Sequence, residues 1–146
     1  MQLKVTKLRP GAKLPYRATT GSAGYDLCAC LEEPAVIPAG ERMGVPTGIA
    51  VQMESEACVG LVFARSGLAV KKGISLSNGV GVIDSDYTGE IVVGLINTSK
   101  EDFTVQPGDR IAQLAILSVF APEIVEVDSL ASTERGAGGF GSTGVQ

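Results

Sequence analysis

The sequence predicts an all-β domain, a jelly-roll-like β-barrel or sandwich with one short helix. Three observations carry this. No window of a dozen residues repeats apolar positions at the i, i+3, i+4, i+7 spacing of an amphipathic helix. Short apolar runs recur instead, separated by Gly, Pro, Asn and Asp. Nineteen glycines and seven prolines in 146 residues make the chain rich in turns, while an apolar fraction of 45% supplies a core and excludes disorder.

Each element has its own signal. Residues 49–53 alternate like a half-buried strand. Residues 58–63, 90–97 and 111–117 are almost continuously apolar. A strand with one wet face alternates, so these runs predict cover on both faces. In a domain this small, a second subunit can supply the second cover. A short helix is predicted after Ser66, with Ser66 as N-cap and Lys71, Lys72 and Gly73 closing it. Residues 78–89 read as a hairpin, and 121–130 as a crossing strand and linker. The predicted division is a β domain over 1–130 and a flexible glycine-rich tail over 131–146.

Composition excludes several functions. No run approaches the roughly 18 apolar residues of a membrane span, and the first residues lack the apolar stretch of a signal peptide. The net charge of −4 lacks the basic excess of a nucleic-acid binder. The absence of histidine removes His-based triads and most zinc catalysis. Cys28, Cys30 and Cys58 are an odd set without a CxxC motif. They read as core thiols in a reducing compartment. The expectation is a cytoplasmic protein (or one in a nuclear or viral-host cytosol), not secreted, with no membrane and no nucleic-acid partner.

A few residues stand out chemically. The tail from Arg135 to Gly144 holds five glycines with Phe140, Gly141, Ser142 and Thr143. Glycine-rich backbone brings N–H groups to phosphate oxygens, Ser and Thr add hydroxyls, Arg135 adds a fork, and Phe140 can stack on a base. A disordered terminus has similar composition. Arg65, Ser66 and Gly67 at a helix start suit an anion, although an ordinary cap beside a solvated arginine fits as well. Asp84, after an apolar run, can orient or deprotonate water. Asn78 can read a base edge, and Tyr87 offers a flat ring. Turn chemistry favours Asn and Asp in the same places. Gln113 interrupts an apolar run, either facing a phosphate or subunit contact or lying on an edge strand. Asp26 suits an arginine or a hydrated metal, or is a turn aspartate.

In order along the chain, these segments resemble the five motifs of the trimeric dUTP diphosphatases (dUTPases). They are Ala23-Gly24-Tyr25-Asp26-Leu27, Arg65-Ser66-Gly67, 78–89, Gly108-Asp109-Arg110-Ile111-Ala112-Gln113 and 135–144. Thr20 and Ala64 depart from the family pattern without touching a reactive group. The resemblance implies a homotrimer with its sites at subunit interfaces. It implies hydrolysis of dUTP to dUMP and pyrophosphate, with Mg2+ on the triphosphate, limiting uracil in DNA and supplying dUMP for thymidylate synthesis. Asp84 then activates the attacking water, while Asn78, Gly81 and Val82 read uracil. Tyr87 packs under the deoxyribose. Arg65, Ser66, Gly67 and Gln113 contact phosphates, as do Arg135, Ser142 and Thr143 of the tail, where Gly141 also binds substrate. Phe140 closes over uracil. No direct protein ligand to the metal is expected, and Asp26 organises its water shell. With a net acidic chain, steering falls to Arg65, Arg110, Arg135 and the metal. Two alternatives remain. One is a dCTP deaminase-type enzyme, disfavoured because Gly94 stands where the acid belongs. The other is a nucleotide-binding regulatory protein on a dUTPase core.

Overall fold

The computed structural model describes residues 2–139. β1 (Leu3–Lys7) pairs with β5 (Ile49–Met53), and β3 (Ala35–Ile37) with β10 (Phe103–Val105). A three-stranded sheet runs β4 (Arg42–Pro46), β9 (Val92–Asn97), β7 (Ile74–Leu76). The largest sheet runs β2 (Tyr25–Cys28), β11 (Arg110–Ser118), β6 (Cys58–Ala64), β8 (Gly81–Ile83). All these pairs are antiparallel. In none of them are the two strands consecutive in the chain, the crossover pattern of a jelly-roll-like fold. Apolar side chains from all four sheets meet in one core, with Leu27, Ile37, Val45, Ile49, Leu95 and Leu114 almost wholly enclosed.

The absence of consecutive pairing corrects one expectation. Residues 78–89 are not a hairpin: only β8 within them is strand, and it pairs with β6, Leu61 opposite Val82. The chain then turns through 84–90 and enters a different sheet in β9. β5 is also more enclosed than its alternation predicts. Ala50 is buried along with Ile49, Val51 and Met53, so only Gln52 faces out.

Among the described residues, the continuous runs are covered on one face only. In β6, Cys58, Gly60 and Val62 are buried, while Val59 and Leu61 are half-buried and Phe63 is exposed. Their neighbours Leu117 and Val82 are exposed too, Val82 at 62%. The register sets Val82, Leu61 and Ala115 in one cross-strand row and Phe63 beside Gln113. Residues 119–139 contain no strand, contrary to the crossing strand predicted over 121–130. A strand persists only where a ladder satisfies its backbone, and no strand of the described chain pairs with this segment. It leaves Phe120, Ile124 and Leu130 exposed at 94%, 95% and 87%.

α1 (Ser66–Lys72) follows β6 directly. Its cap is Arg65, in extended conformation, and makes no side-chain cap bond. Ser66 is therefore the first helical residue rather than the predicted N-cap. Gly73 closes the helix at φ +68°, its N–H reaching the carbonyls of Ala69 and Leu68. Among the described residues no helix is long and apolar enough to cross a membrane.

Candidate active site

The β10–β11 turn sets up the site. Gly108 takes φ +81°, and Asp109 folds back to accept the Gln106 N–H at 2.8 Å. β11 starts at Arg110 and pairs with β2, Arg110 opposite Cys28 and Gln113 opposite Asp26. The register slips between Arg110 and Ala112, a bulge that lets Ile111 and Ala112 both enter the core.

Asp26 is the electrostatic centre. It is buried, and its N–H donates to the Tyr16 carbonyl at 2.8 Å. Arg65 Nε lies 3.2 Å from Oδ1, and Arg110 Nη1 lies 3.1 Å from Oδ2. Arg65 Nη1 also donates to the Arg110 carbonyl at 2.9 Å. One carboxylate thus holds two guanidiniums, leaving a local excess of one positive charge. The hydrogen bond and charge of Asp26 push the Arg110 guanidinium above its ordinary value. A buried carboxylate is tolerated here because both oxygens are paired.

These groups line a polar recess of about 190 Å³ together with Ser66, Gly67, Gln113, Gly24 and Ser22. Motif residues as far apart in sequence as Gly24 and Gln113 meet here. β11 lies between β2 and β6, so Gln113 is not on an edge strand. Gly24 makes room for it: a Cβ there would stand 3.0 Å from Gln113 Oε1. Ser22 and Gly24 join the site with no chemical signal of their own in the sequence: one is a small hydroxyl and the other has no side chain, and only the neighbouring Asp26 marks them.

Asp84 lies elsewhere. It is exposed and lines a second recess of about 490 Å³ with Glu56, Cys58, Val59, Val82, Ser85, Asp86 and Val119. The two recesses share no residue. One touches the Cys58–Val59 end of β6 and the other begins just past its Ala64 end. Six residue steps of strand separate them by about 20 Å. Asn78 is exposed in the turn before β8, where Gly79 takes φ +73°. Gly81 and Val82 lie in β8. Tyr87 is exposed on the turn after Asp84, with its N–H on the Asp84 carbonyl at 3.1 Å and its hydroxyl on the Glu90 carbonyl at 2.9 Å.

Arg135 is exposed, its Nε donating to the Gly138 carbonyl at 2.8 Å. Phe140, Gly141, Ser142 and Thr143 lie outside the described residues. Cys28 and Cys58 are buried and Cys30 is half-buried. Burial pushes the Cys28 thiol up, with Lys13 opposing. Among the described residues no cluster of three or more His, Cys, Asp or Glu side chains is placed to hold a metal. Nor can position 94 take an acid without rearrangement, since a Cβ there would lie 2.6 Å from Ser77 Oγ.

The fold is a crossover β fold in which two arginines are paired with one buried carboxylate beside a polar recess, an arrangement of charge that suits an anion. The dUTPase family model matches residues 11–144. The chain belongs to the dUTPase family and is an enzyme of the dUTP diphosphatase class. The deoxyuridine 5'-triphosphate nucleotidohydrolase of Desulfitobacterium hafniense is 53% identical over 133 residues, 91% of this chain and 88% of its own length. A mutant dUTPase of Staphylococcus bacteriophage 80alpha, solved with dUpNHpp, superposes with a TM-score of 0.89 at 28% identity, covering 99% of each chain. A mutant dUTPase from phage phi11 of S. aureus, whose structure is described as revealing the coordination of a structural Mg(II) ion, gives 0.81 at 26% identity, over 90% of this chain and 100% of its own.

Proposed function

We propose that this chain hydrolyses dUTP to dUMP and pyrophosphate in sites shared between copies of itself in a homotrimer. The observation that carries the reading is the Arg65–Asp26–Arg110 triad facing a recess with Ser66, Gly67 and Gln113. It is a rigid cationic seat suited to a polyphosphate on an otherwise acidic chain.

The reaction requires little covalent chemistry from the protein. Water attacks the α-phosphorus and its proton passes to the Asp84 carboxylate. The new bond is water oxygen to α-phosphorus. The bond broken joins that phosphorus to the α–β bridging oxygen, and pyrophosphate leaves with the bond's electrons. Arg65, Ser66, Gly67 and Gln113 hold the phosphates. Asn78 with the backbone of Gly81 and Val82 reads uracil, and Tyr87 supports the deoxyribose. The residues fit Mg2+ carried by the substrate rather than by the protein, because both Asp26 oxygens are already engaged by arginines. Asp26 would face the water shell of such an ion, which would supply neutralisation of the triphosphate charge.

The separation of the two recesses along β6 supports a shared site. Asp84 cannot reach the Arg65 recess of its own chain, whereas a second copy can present it. The uncovered apolar face of β6, β8 and β11 and the arm holding Phe120, Ile124 and Leu130 supply the means. Burying each such side chain contributes about 1.5–3 kcal/mol. Replacing Ile124 and Leu130 together by Asp is therefore expected to shift the sedimentation of the protein from trimer to monomer. Unchanged sedimentation would exclude the arm from the interface.

We assign 131–146 as a tail that closes over the nucleotide through Arg135, Phe140, Gly141, Ser142 and Thr143. Ending the chain at Glu134 is expected to leave a folded trimer with kcat/KM for dUTP lower by about 100-fold. Near-normal turnover would remove the tail from the site. The direct test of the function is pyrophosphate release with Mg2+ from dUTP, dCTP, dTTP and UTP, with release from dUTP alone expected. The proposed role in the cell is to limit uracil in DNA and to supply dUMP for thymidylate synthesis.

A further inference from the structure

The turn that carries Tyr87 is tied down by a residue that the proposed reaction does not use. Glu90 is only 17% exposed at its side chain, and both its oxygens are engaged. Oε2 lies 2.7 Å from Arg9 Nη2, and Oε1 accepts the Gly48 N–H at 2.9 Å. Next to it, the Thr47 N–H and hydroxyl both donate to the Ile91 carbonyl, at 3.1 and 2.6 Å. The Ile91 N–H donates to the Ile49 carbonyl at 2.9 Å, and the Leu8 N–H to the Gly48 carbonyl at 2.7 Å. Residues 8–9, 47–49 and 90–91 are thus knotted together across three distant parts of the chain. Gly48 can sit in this knot only as glycine. Its φ is +70°, and a Cβ would stand 2.7 Å from Cys30 Sγ.

The knot ends on Tyr87. The Glu90 carbonyl accepts the Tyr87 hydroxyl at 2.9 Å. Gly89 lets the ring lie close, because a Cβ at 89 would be 2.5 Å from the Tyr87 hydroxyl oxygen and 2.7 Å from Cζ. A tyrosine ring has two soft torsions, and a hydrogen bond at its far end restrains both.

We propose that Glu90 is a positioning residue for sugar selection: through Arg9 and Gly48 it fixes the carbonyl that holds the Tyr87 ring. The inference rests on the reading of Tyr87 as the support under the deoxyribose. Excluding a 2′-hydroxyl by contact requires a wall that does not yield. A ring free to swing aside accommodates the extra oxygen while still packing under deoxyribose. Stiffness therefore matters more for rejecting UTP than for turning over dUTP. The Arg9 pair is half in water and weak by itself. The Gly48 amide is the firmer partner, because it donates to a charged acceptor.

The test is a double-substitution cycle read as the ratio of kcat/KM for dUTP to that for UTP. Glu90→Ala is expected to lower this ratio about fivefold, mainly by raising turnover of UTP, with kcat for dUTP within about twofold. Tyr87→Phe, which deletes the hydroxyl, is expected to lower the ratio similarly. The double variant is expected to fall no further, because both changes cut the same link. An unchanged ratio in Glu90→Ala overturns the proposal. So does a full additive loss in the double variant, which would mean that Glu90 acts without Tyr87. If Glu90→Ala does not fold, Glu90→Gln and Arg9→Met remove only the ion pair, and each is expected to lower the ratio about twofold. No change in either overturns the proposal as well. A wild-type protein that releases no pyrophosphate from dUTP, or fails to distinguish it from UTP, refutes the underlying reading instead.

Discussion

Asp84→Asn is expected to lower dUTP turnover by about 1000-fold while nucleotide binding and the fold persist. The amide has nearly the shape of the carboxylate but cannot accept the proton of the attacking water. Asp84 is exposed, and the contact it lends to the turn is a backbone one, its carbonyl holding the Tyr87 N–H at 3.1 Å. That contact survives the substitution, so a loss of turnover reports chemistry rather than unfolding. The check is pyrophosphate release from the four nucleotides beside calorimetric titration with a non-hydrolysable dUTP analogue. Retained turnover would remove Asp84 from the reaction. Ammonia released from dCTP by the wild type would point to deamination. A wild type that binds dUTP and hydrolyses nothing would favour the regulatory-protein reading.

Asp26→Asn is expected to cost about 100-fold in kcat/KM and to lower Tm by about 5 °C. The carboxylate is almost enclosed, ion-paired with Arg65 at 3.2 Å and accepting a hydrogen bond from Arg110 at 3.1 Å. An amide offers one acceptor and turns its NH2 toward the other guanidinium. One arginine then lies beside a donor, in a recess whose excess of positive charge rises from one to two. The seat for the phosphates loosens, and so does the junction of β2, β6 and β11 around it. Asp26→Glu is expected to rescue little, since the longer side chain cannot keep both contacts in the same enclosed space. Steady-state kinetics and thermal melts on both variants decide this. Unimpaired kinetics in Asp26→Asn would show that the triad serves packing alone.

Much of the fold was legible because β structure writes itself locally. Apolar runs bounded by Gly, Pro and Asn marked β6, β9 and β11, and Gly73 marked the end of the helix. Partnership was not legible. Residues 78–89 have the composition of a hairpin, but a strand's ladder can be closed by any compatible edge, and β8 found β6. Residues 121–130 look like a strand, but they have no partner strand within the described chain. Ser66 looks like a cap, yet the bend falls one residue earlier, at Arg65.

The site divides the same way. The sequence by itself determined the chemical groups: a chain without histidine, with Asp26, Arg65, Asn78, Asp84, Tyr87 and Gln113 in the first four of five ordered motifs of one family. Only the tertiary structure decided their company. It placed Asp26 between Arg65 and Arg110, put Asp84 at the other end of β6, and tied Glu90 to Arg9 and Gly48 beneath Tyr87. Residue types and their order are local properties of a chain. Which charges pair, which faces stay uncovered and which groups stand about 20 Å apart depend on strand register and crossover, and those are settled only when distant segments compete for the same hydrogen-bonding edges.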